Sequence, residues 1–324
     1  MRIALVGKGG SGKTTVSALL IRHLASSGHP VMAIDADINQ HLGAALGLPD
    51  EEAGAIPPMA KHLHAIKDYL RGRNPLVASA EVMIKTTPPG RGSRLLRLNE
   101  DNIVHNLCAT RLDGELASVR LMVTGGFSES DLGVSCYHSK TGAAELYLNH
   151  LVDDQGEYVV VDMTAGTDAF ASGLFTRFDL TCLVVEPTRK SLSVYKQYSD
   201  YAREYDVTIR VVGNKVTCAD DVSYLQEHAG TDLIAWLGAS SYVRAQEQGR
   251  DEDFARLEST NRAALARLHL ELDSVKQDWA KFTRQGAQFH LKNAVAWGNR
   301  ATGLDLAEQV DPYFVTGPEA FVAS

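Results

Sequence analysis

The sequence predicts an α/β protein with a doubly wound, mostly parallel sheet, helices on both faces and a helical C-terminal extension. Three observations predict it. Short apolar runs alternate with longer stretches of helical periodicity from the first residues to about residue 250. The first run, Ile3-Ala4-Leu5-Val6, leads into the glycine-rich stretch Gly7-Lys8-Gly9-Gly10-Ser11-Gly12-Lys13-Thr14-Thr15, which opens a helix. Two further runs end in aspartate, at Asp35 and at Asp162, and open α/β sheets bind their ligands at the carboxyl ends of strands.

Gly7, Gly12, Lys13 and Thr14 fill every fixed position of the phosphate-loop spacing G-x-x-x-x-G-K-[ST]. Glycines let the backbone curl until successive N–H groups, here from Gly9, Gly10, Ser11, Gly12, Lys13, Thr14 and Thr15, aim at phosphate oxygens. The helix that follows, patterned from Val16 to Leu24, adds the positive end of its dipole. Lys13 would reach the β- and γ-phosphates, and the Thr14 hydroxyl would ligate magnesium. A chance glycine-rich turn would have to match all of these positions between a strand and a helix. The stretch reads as a nucleoside triphosphate site.

Pro30-Val31-Met32-Ala33-Ile34-Asp35 is the next buried strand, and Asp35-Ala36-Asp37 stands at its carboxyl end. Two carboxylates beside a triphosphate must work through a metal ion or water. They also suit the cap of a helix from His41 to Leu46, and the two roles are compatible. Residues 47–118 form a variable, insert-like segment punctuated by Pro49, Pro57, Pro58, Pro75, Pro88 and Pro89. Short helices are expected around 61–71 and 77–84, and the basic scatter from Lys85 to Arg97 reads as a solvated loop. Order returns with the strand Val119 to Thr124, a helix from Gly142 to Leu151, and the strand Tyr158-Val159-Val160-Val161-Asp162. That strand ends as a Walker B strand does, with Asp162 placed to hold magnesium through water and 163–166 placed as a switch loop. Strands at 180–186, 208–213 and 233–237 complete the sheet around a helix at 190–205. Leu257, Leu265, Leu268, Leu272, Val275, Trp279 and Phe282 then fit one helical face, so the chain divides into a phosphate-loop unit at 1–253 and a helical extension with tail at 254–324.

Composition narrows the class. Lysine and arginine number 32 against 40 aspartates and glutamates, a net charge of −8, whereas general nucleic-acid binders carry a basic footprint. Met1-Arg2-Ile3 runs straight into the first strand, leaving no room for a signal peptide. No apolar run approaches the ~20 residues that span a bilayer. No basic amphipathic helix closes the chain, so a cytoplasmic setting without membrane contact is expected. The four cysteines, Cys108, Cys136, Cys182 and Cys218, make no C-x-x-C pair and are expected as thiols or metal ligands.

Lys8 is not required by a general phosphate loop. In the form Lys-Gly-Gly-x-Gly-Lys-Thr-Thr, the stretch resembles the deviant phosphate-loop ATPases of the MinD/ParA type. That group holds cell-division and plasmid-partition ATPases, the nitrogenase iron protein and metal-insertion ATPases. The resemblance implies an ATP-hydrolysing homodimer in which Lys8 reaches across to the other subunit's nucleotide. It implies that Lys8 and Lys13 neutralise charge on the transferred phosphoryl, and that Asp37 orients the attacking water. Asp35 would support the magnesium shell held by Thr14 and Asp162. Asn214 would read the adenine edge, although asparagine there also suits a plain turn.

Pro88-Pro89-Gly90, Gly133-Val134-Ser135-Cys136-Tyr137-His138, Asp162-Met163-x-Ala165-Gly166 and Glu186-Pro187 resemble in particular the accessory ATPases that load nickel into carbon monoxide dehydrogenase. The likeness covers residues 1 to about 250 and puts Glu186 and Pro187 beside the nucleotide. That family carries Gly-Cys-x-Cys, whose cysteines from two subunits bind one metal at the dimer axis. Here Ser135 replaces the glycine and His138 the second cysteine. Two copies of Cys136 and His138 would offer two thiolates and two imidazoles, a set suited to zinc or nickel. An iron–sulfur cluster is less expected, because 163–166 holds no cysteine. The plain alternative is a lone thiol beside an unrelated surface histidine. The resemblance thus implies a metallochaperone serving an unidentified client metalloenzyme. A partition or positioning ATPase that binds DNA or a polar scaffold is a second reading. A regulatory switch read by a protein partner is a third.

Overall fold

Among the described residues, ten strands organise the chain: β1 (Arg2–Gly7), β2 (Val31–Ala36), β3 (Leu96–Arg97), β4 (Ala109–Arg111), β5 (Val119–Val123), β6 (Leu151–Val152), β7 (Tyr158–Met163), β8 (Leu180–Val185), β9 (Ile209–Val216) and β10 (Leu233–Gly238). The computed structural model describes residues 1–126, 138–164, 170, 172–250 and 252–321, at 138 and 139 the backbone alone. Eight strands form one sheet in the order β10-β9-β8-β1-β7-β2-β5-β4, and β3 pairs with β6 apart from it. Every pairing in the large sheet is parallel except β4 with β5 at one edge. Parallel neighbours need crossovers, and the sequence supplies a helical stretch between most of its apolar runs. The expected doubly wound α/β architecture is what forms.

The helices are α1 (Lys13–Ser26), α2 (Leu42–Ala45), α3 (Asp50–Ala55), α4 (Leu63–Arg71), α5 (Ile103–Cys108), α6 (His138–His150), α7 (Arg189–Glu204), α8 (Ala219–Ala229), α9 (Ser241–Glu247), α10 (Ser259–Ser274), α11 (Trp279–Asn293) and α12 (Asn299–Thr302). Strand alternation divides the core between the two faces of the sheet. Ile3 and Leu5 of β1 point to α1, α9 and α10, where Leu20, Leu24, Tyr242, Leu265, Leu268 and Leu272 bury themselves. Ala4 and Val6 point the other way, toward Ile66 and Leu70 of α4, Leu146 and Tyr147 of α6, Leu192 and Tyr198 of α7, and Leu225 of α8. Because β1 is central and covered on both sides, the loop after it emerges from a fixed base.

Three local expectations do not hold. The stretch from Lys85 to Arg97 is not simply a solvated loop, because residues 86–90 are buried against the chain around His290 and Gln309. Residues 77–84 form turns and extended chain, not a helix. Their carbonyls are taken by side chains instead: Arg71 donates to Val77 (2.8 Å) and Ala78 (2.9 Å) and Gln309 to Val82 (3.1 Å), while the Thr87 hydroxyl bridges Ile84 N–H (2.9 Å) to Gln309 (3.2 Å). The helical stripe from Leu257 to Phe282 is likewise not one face of one helix. The chain breaks at 275–278, so α10 joins the core beside α1 while α11 packs elsewhere.

The break lets α11 meet the amino-terminal ends of the strands. Arg2 is buried there, its guanidinium 2.7 Å from Asp153 and 5.0 and 5.2 Å from the rings of Trp279 and Phe282. Against the cost of burial, Arg2 and the terminal ammonium hold the Asp153 carboxyl down at about 2. Arg177, also buried, donates to Asn149 of α6 (3.1 Å) and to the Phe282 carbonyl of α11 (2.9 Å). Among the described residues no helix is long and apolar enough to cross a membrane.

A histidine cluster joins α1 to α10. The His269 ring lies 5.4 Å from His23, 5.1 Å from His29 and 5.3 Å from Tyr158. The Tyr158 hydroxyl donates to Asp273 at 2.5 Å and meets His269 Nε2 at 2.9 Å. Burial first, then the neighbouring histidines, lowers His23; burial lowers His269, with Asp273 opposing and His29 assisting. An unfolded histidine titrates near 6.5, so as pH falls the unfolded chain takes up protons before the fold does. The stability contributed by the neutral cluster is complete above that value and is lost below it. Between about pH 7.5 and about pH 5.5 the wild type should therefore lose urea midpoint relative to His269→Gln. The same slope in both proteins would show that the cluster contributes no such loss.

Candidate phosphate-loop nucleotide site

The glycine loop leaves β1 at the carboxyl edge of the sheet, between β7 and β8. Gly7 stands at φ +152, where a Cβ would come within 2.5 Å of the Val184 carbonyl on β8. Ser11 N–H donates to the Lys8 carbonyl (3.1 Å) and closes the loop on itself. Gly12, at φ +89, caps α1 in the left-handed region without a capping side chain. With no side chain there, the first amides of α1 stay open toward the loop. Lys13 is buried, and Lys8 is half-buried.

Three carboxylates face this helix end. Asp162 accepts from the hydroxyls of Thr14 (2.6 Å) and Ser17 (3.2 Å), which lie three residues apart on one face of α1. Asp35 stands opposite Asp162 in the register of β2 against β7. Its carboxylate accepts the N–H groups of Leu42 (2.8 Å) and Asp37 (3.0 Å), and its carbonyl accepts both N–H and hydroxyl of Thr124. Asp37 Oδ2 lies 3.8 Å from Lys13 Nζ, and Asp37 Oδ1 accepts from the Asn39 backbone at 3.0 Å. Burial, and next the charge of Asp162, push Asp35 up to about 8. Burial pushes Asp162 to about 6, with Asp37 assisting and Thr14, Lys13 and Ser17 opposing. These carboxyls are short of positive charge. A hydroxyl and carboxylates are all hard oxygen donors, so the set fits magnesium better than a soft metal.

The ends of β8 and β9 brace the loop from the other side. Asn214 Nδ2 donates to the Ser11 carbonyl (2.8 Å), and Lys215 Nζ donates to the Gly10 carbonyl (2.7 Å) and pairs with Glu186 at 2.6 Å. Pro187 follows, half-buried, in the turn before α7. The structure therefore gathers the residues from Gly7 to Thr15 with Asp35, Asp37, Asp162, Glu186 and Asn214 at one end of the sheet. Cys136 lies outside the described residues, as do Ala165 and Gly166; His138 is described in backbone only, as the first residue of α6. Among the described residues no group of three or more histidines, cysteines and acids could hold a metal ion. Burial pushes the Cys108 thiol up to about 12 and raises Cys182 as well, so neither offers a thiolate at neutral pH.

Sequence reasoning missed three members of the site. Ser17 carried a signal, its i+3 spacing from Thr14. Lys215 sits next to Asn214, but adjacent strand residues normally face opposite ways. Thr124 follows its strand with no motif to mark it.

A strand, glycine loop and helix opposed by two acid-tipped strands define a nucleotide-binding protein of the P-loop class. The chain belongs to the CobQ/CobB/MinD/ParA nucleotide binding domain family, whose pattern matches residues 3–276. It is 28% identical over 250 residues to the carbon monoxide dehydrogenase accessory protein CooC of Rhodospirillum rubrum, covering 76% of this chain and 87% of that protein. It is 26% identical over 243 residues to an uncharacterized ATP-binding protein of Methanocaldococcus jannaschii, covering 73% and 84%. The septum site-determining protein MinD of Pyrococcus horikoshii, complexed with Mg-ADP, shares the fold with a TM-score of 0.53 at 16% identity, over 84% of this chain and 96% of that one.

Gly12 offers a test of the bracing. A Cβ there would lie 2.1 Å from Asn214 Nδ2. Gly12→Ala should cost about 2–4 kcal/mol in urea unfolding, from the left-handed backbone and the overlap together. Adding Asn214→Ala should recover part of that loss, because the overlap goes and the backbone cost stays. Strictly additive losses would mean that the two side chains do not compete for this space.

Proposed function

We propose that this chain is an ATP-hydrolysing switch that works as a homodimer in the maturation of a metalloenzyme. The observation that carries the ATPase reading is the convergence of Lys13 and Thr14 with Asp37 and Asp162 at one helix end. In this reading the loop amides and Lys13 bind the β- and γ-phosphates, and Lys13 releases Asp37 as it does so. Asp37, freed, orients the attacking water. Thr14 and Asp162, with Asp35 behind them, would hold magnesium, which would supply charge neutralisation on the phosphates. Asn214 reads the base from the far side of the loop while its amide braces Ser11, and Glu186 and Pro187 line the same side. Lys8 reaches the nucleotide of the second copy, a role supported by its place in the motif.

The maturation role draws on the likeness to CooC and on the Cys136-x-His138 pair, whose histidine opens α6. In this reading Cys136 and His138 of two copies take one zinc or nickel ion as cargo, and a client metalloenzyme receives it. A positioning ATPase of the MinD/ParA type is the second reading, favoured by the family itself. Its DNA or scaffold contact would have to overcome a net charge of −8.

Steady-state ATP turnover should fall ~10²–10³-fold in Lys13→Ala and in Asp37→Asn. Asp37→Asn should still bind ATP, and turnover close to wild type in that variant would remove the assignment to Asp37. For the cargo, metal analysis of the purified dimer should show about one bound zinc or nickel per two chains and a loss in Cys136→Ser. Equal metal content in the two proteins would sink the metallochaperone reading and leave the ATPase standing.

A further inference from the structure

We infer that Lys215 is a positioning residue of the phosphate loop, setting the direction of the loop amides through the carbonyl of Gly10. The inference rests on the ATP-site reading above and extends it to a residue that the motif does not include.

Adjacent strand residues point to opposite faces of a sheet. Asn214 and Lys215 break that rule, since both reach the same loop: Asn214 the Ser11 carbonyl and Lys215 the Gly10 carbonyl. The cause is local. Lys215 takes φ +57, a conformation that strands do not use. The pairing of β10 with β9 shifts at the same place, from Trp236 against Gly213 to Gly238 against Val216. One bulge thus re-aims two neighbouring side chains onto two neighbouring carbonyls.

Two pinned carbonyls have a chemical consequence. In a trans peptide the C=O and the following N–H point opposite ways. Holding the Gly10 and Ser11 oxygens outward turns the amides of Ser11 and Gly12 toward the inside of the loop, where Ser11 N–H meets the Lys8 carbonyl. Glu186 holds Lys215 in place at 2.6 Å, so the end of β8 shares in the bracing. The Lys215 side chain is 55% exposed, and its replacement leaves the core untouched.

The loop binds phosphate in the ground state, so the effect should appear in affinity more than in turnover. Lys215→Met should raise KM for ATP, and Kd for ADP, about tenfold, with kcat within about threefold of wild type. Lys215→Arg should recover most of the affinity, because a guanidinium can still bridge a carbonyl and a carboxylate. Lys215→Gly, which suits the backbone at φ +57 and removes the side chain, should weaken both constants about tenfold; it carries the test should Lys215→Met fail to fold. Wild-type affinity in Lys215→Met and Lys215→Gly, with affinity lost in Lys13→Ala, overturns the inference and spares the ATP site. Wild-type affinity in Lys13→Ala as well overturns the site itself. A loss in Lys215→Met that tracks a lowered melting temperature and is not recovered by Lys215→Arg assigns the lysine a structural role only.

Discussion

Asp35 and Asp162 stand opposite each other on adjacent strands, both buried without accessible surface. Two like charges cannot both remain ionised in such a place, and burying even one uncompensated carboxylate costs several kcal/mol. The surroundings answer this in steps. Backbone amides of Leu42 and Asp37 turn onto Asp35, and the hydroxyls of Thr14 and Ser17 turn onto Asp162. Burial still leaves Asp35 at about 8, largely protonated at neutral pH. The start of α1, the turn after β2 and the end of β7 are thus held together by one shortage of positive charge. A cation arriving with a polyphosphate would relieve it.

The parts of this arrangement that were legible in the sequence are those with short-range rules. A fixed spacing marks Gly7, Gly12, Lys13 and Thr14, and apolar runs that end in aspartate mark Asp35 and Asp162. Such patterns follow from strand burial and helix ends, which depend on near neighbours. Lys215 was not legible, because its direction comes from a bulge in β9 against β10 and not from its own residue type. The segment from 77 to 84 misled for a related reason. It has scattered apolar residues and no competing signal for turn structure beyond Pro75, yet Arg71 takes the carbonyls of Val77 and Ala78, and Gln309, more than two hundred residues further along, takes that of Val82.

Those distant partners make sense of the two least patterned stretches together. Ile84 shares a small core with Ala294 and Leu306; Thr86 meets His290 at 3.3 Å; Arg91 pairs with Asp311 at 3.1 Å. The segment before β3 and the chain beyond α11 cover one another, and neither needs the periodicity of an element that buries one face on a sheet. The break at 275–278 makes this possible by carrying the chain off the α1 face. A single continuous helix through that point would have kept Trp279 and Phe282 away from Arg2.

The two ends of the sheet differ in the cations that stand beside their buried acids. At the amino end Arg2 pairs with Asp153 and donates its backbone N–H to Asp179, and Arg177 is bonded to Asn149 and Phe282, so each buried cation meets acceptors of the chain, although burial still pushes Asp179 up to about 6. The tight pairing there fixes β1, β7 and β8 relative to one another. At the carboxyl end Asp35, Asp37 and Asp162 have Lys13 as the nearest cation among the described residues, at 3.8 Å from Asp37. A chain selected only for stability would gain by removing one of those acids, since an unpaired buried carboxylate weakens the fold. Keeping all three makes sense when the missing charge comes from outside, on a ligand that the rigid amino end allows the strands to meet in a constant geometry.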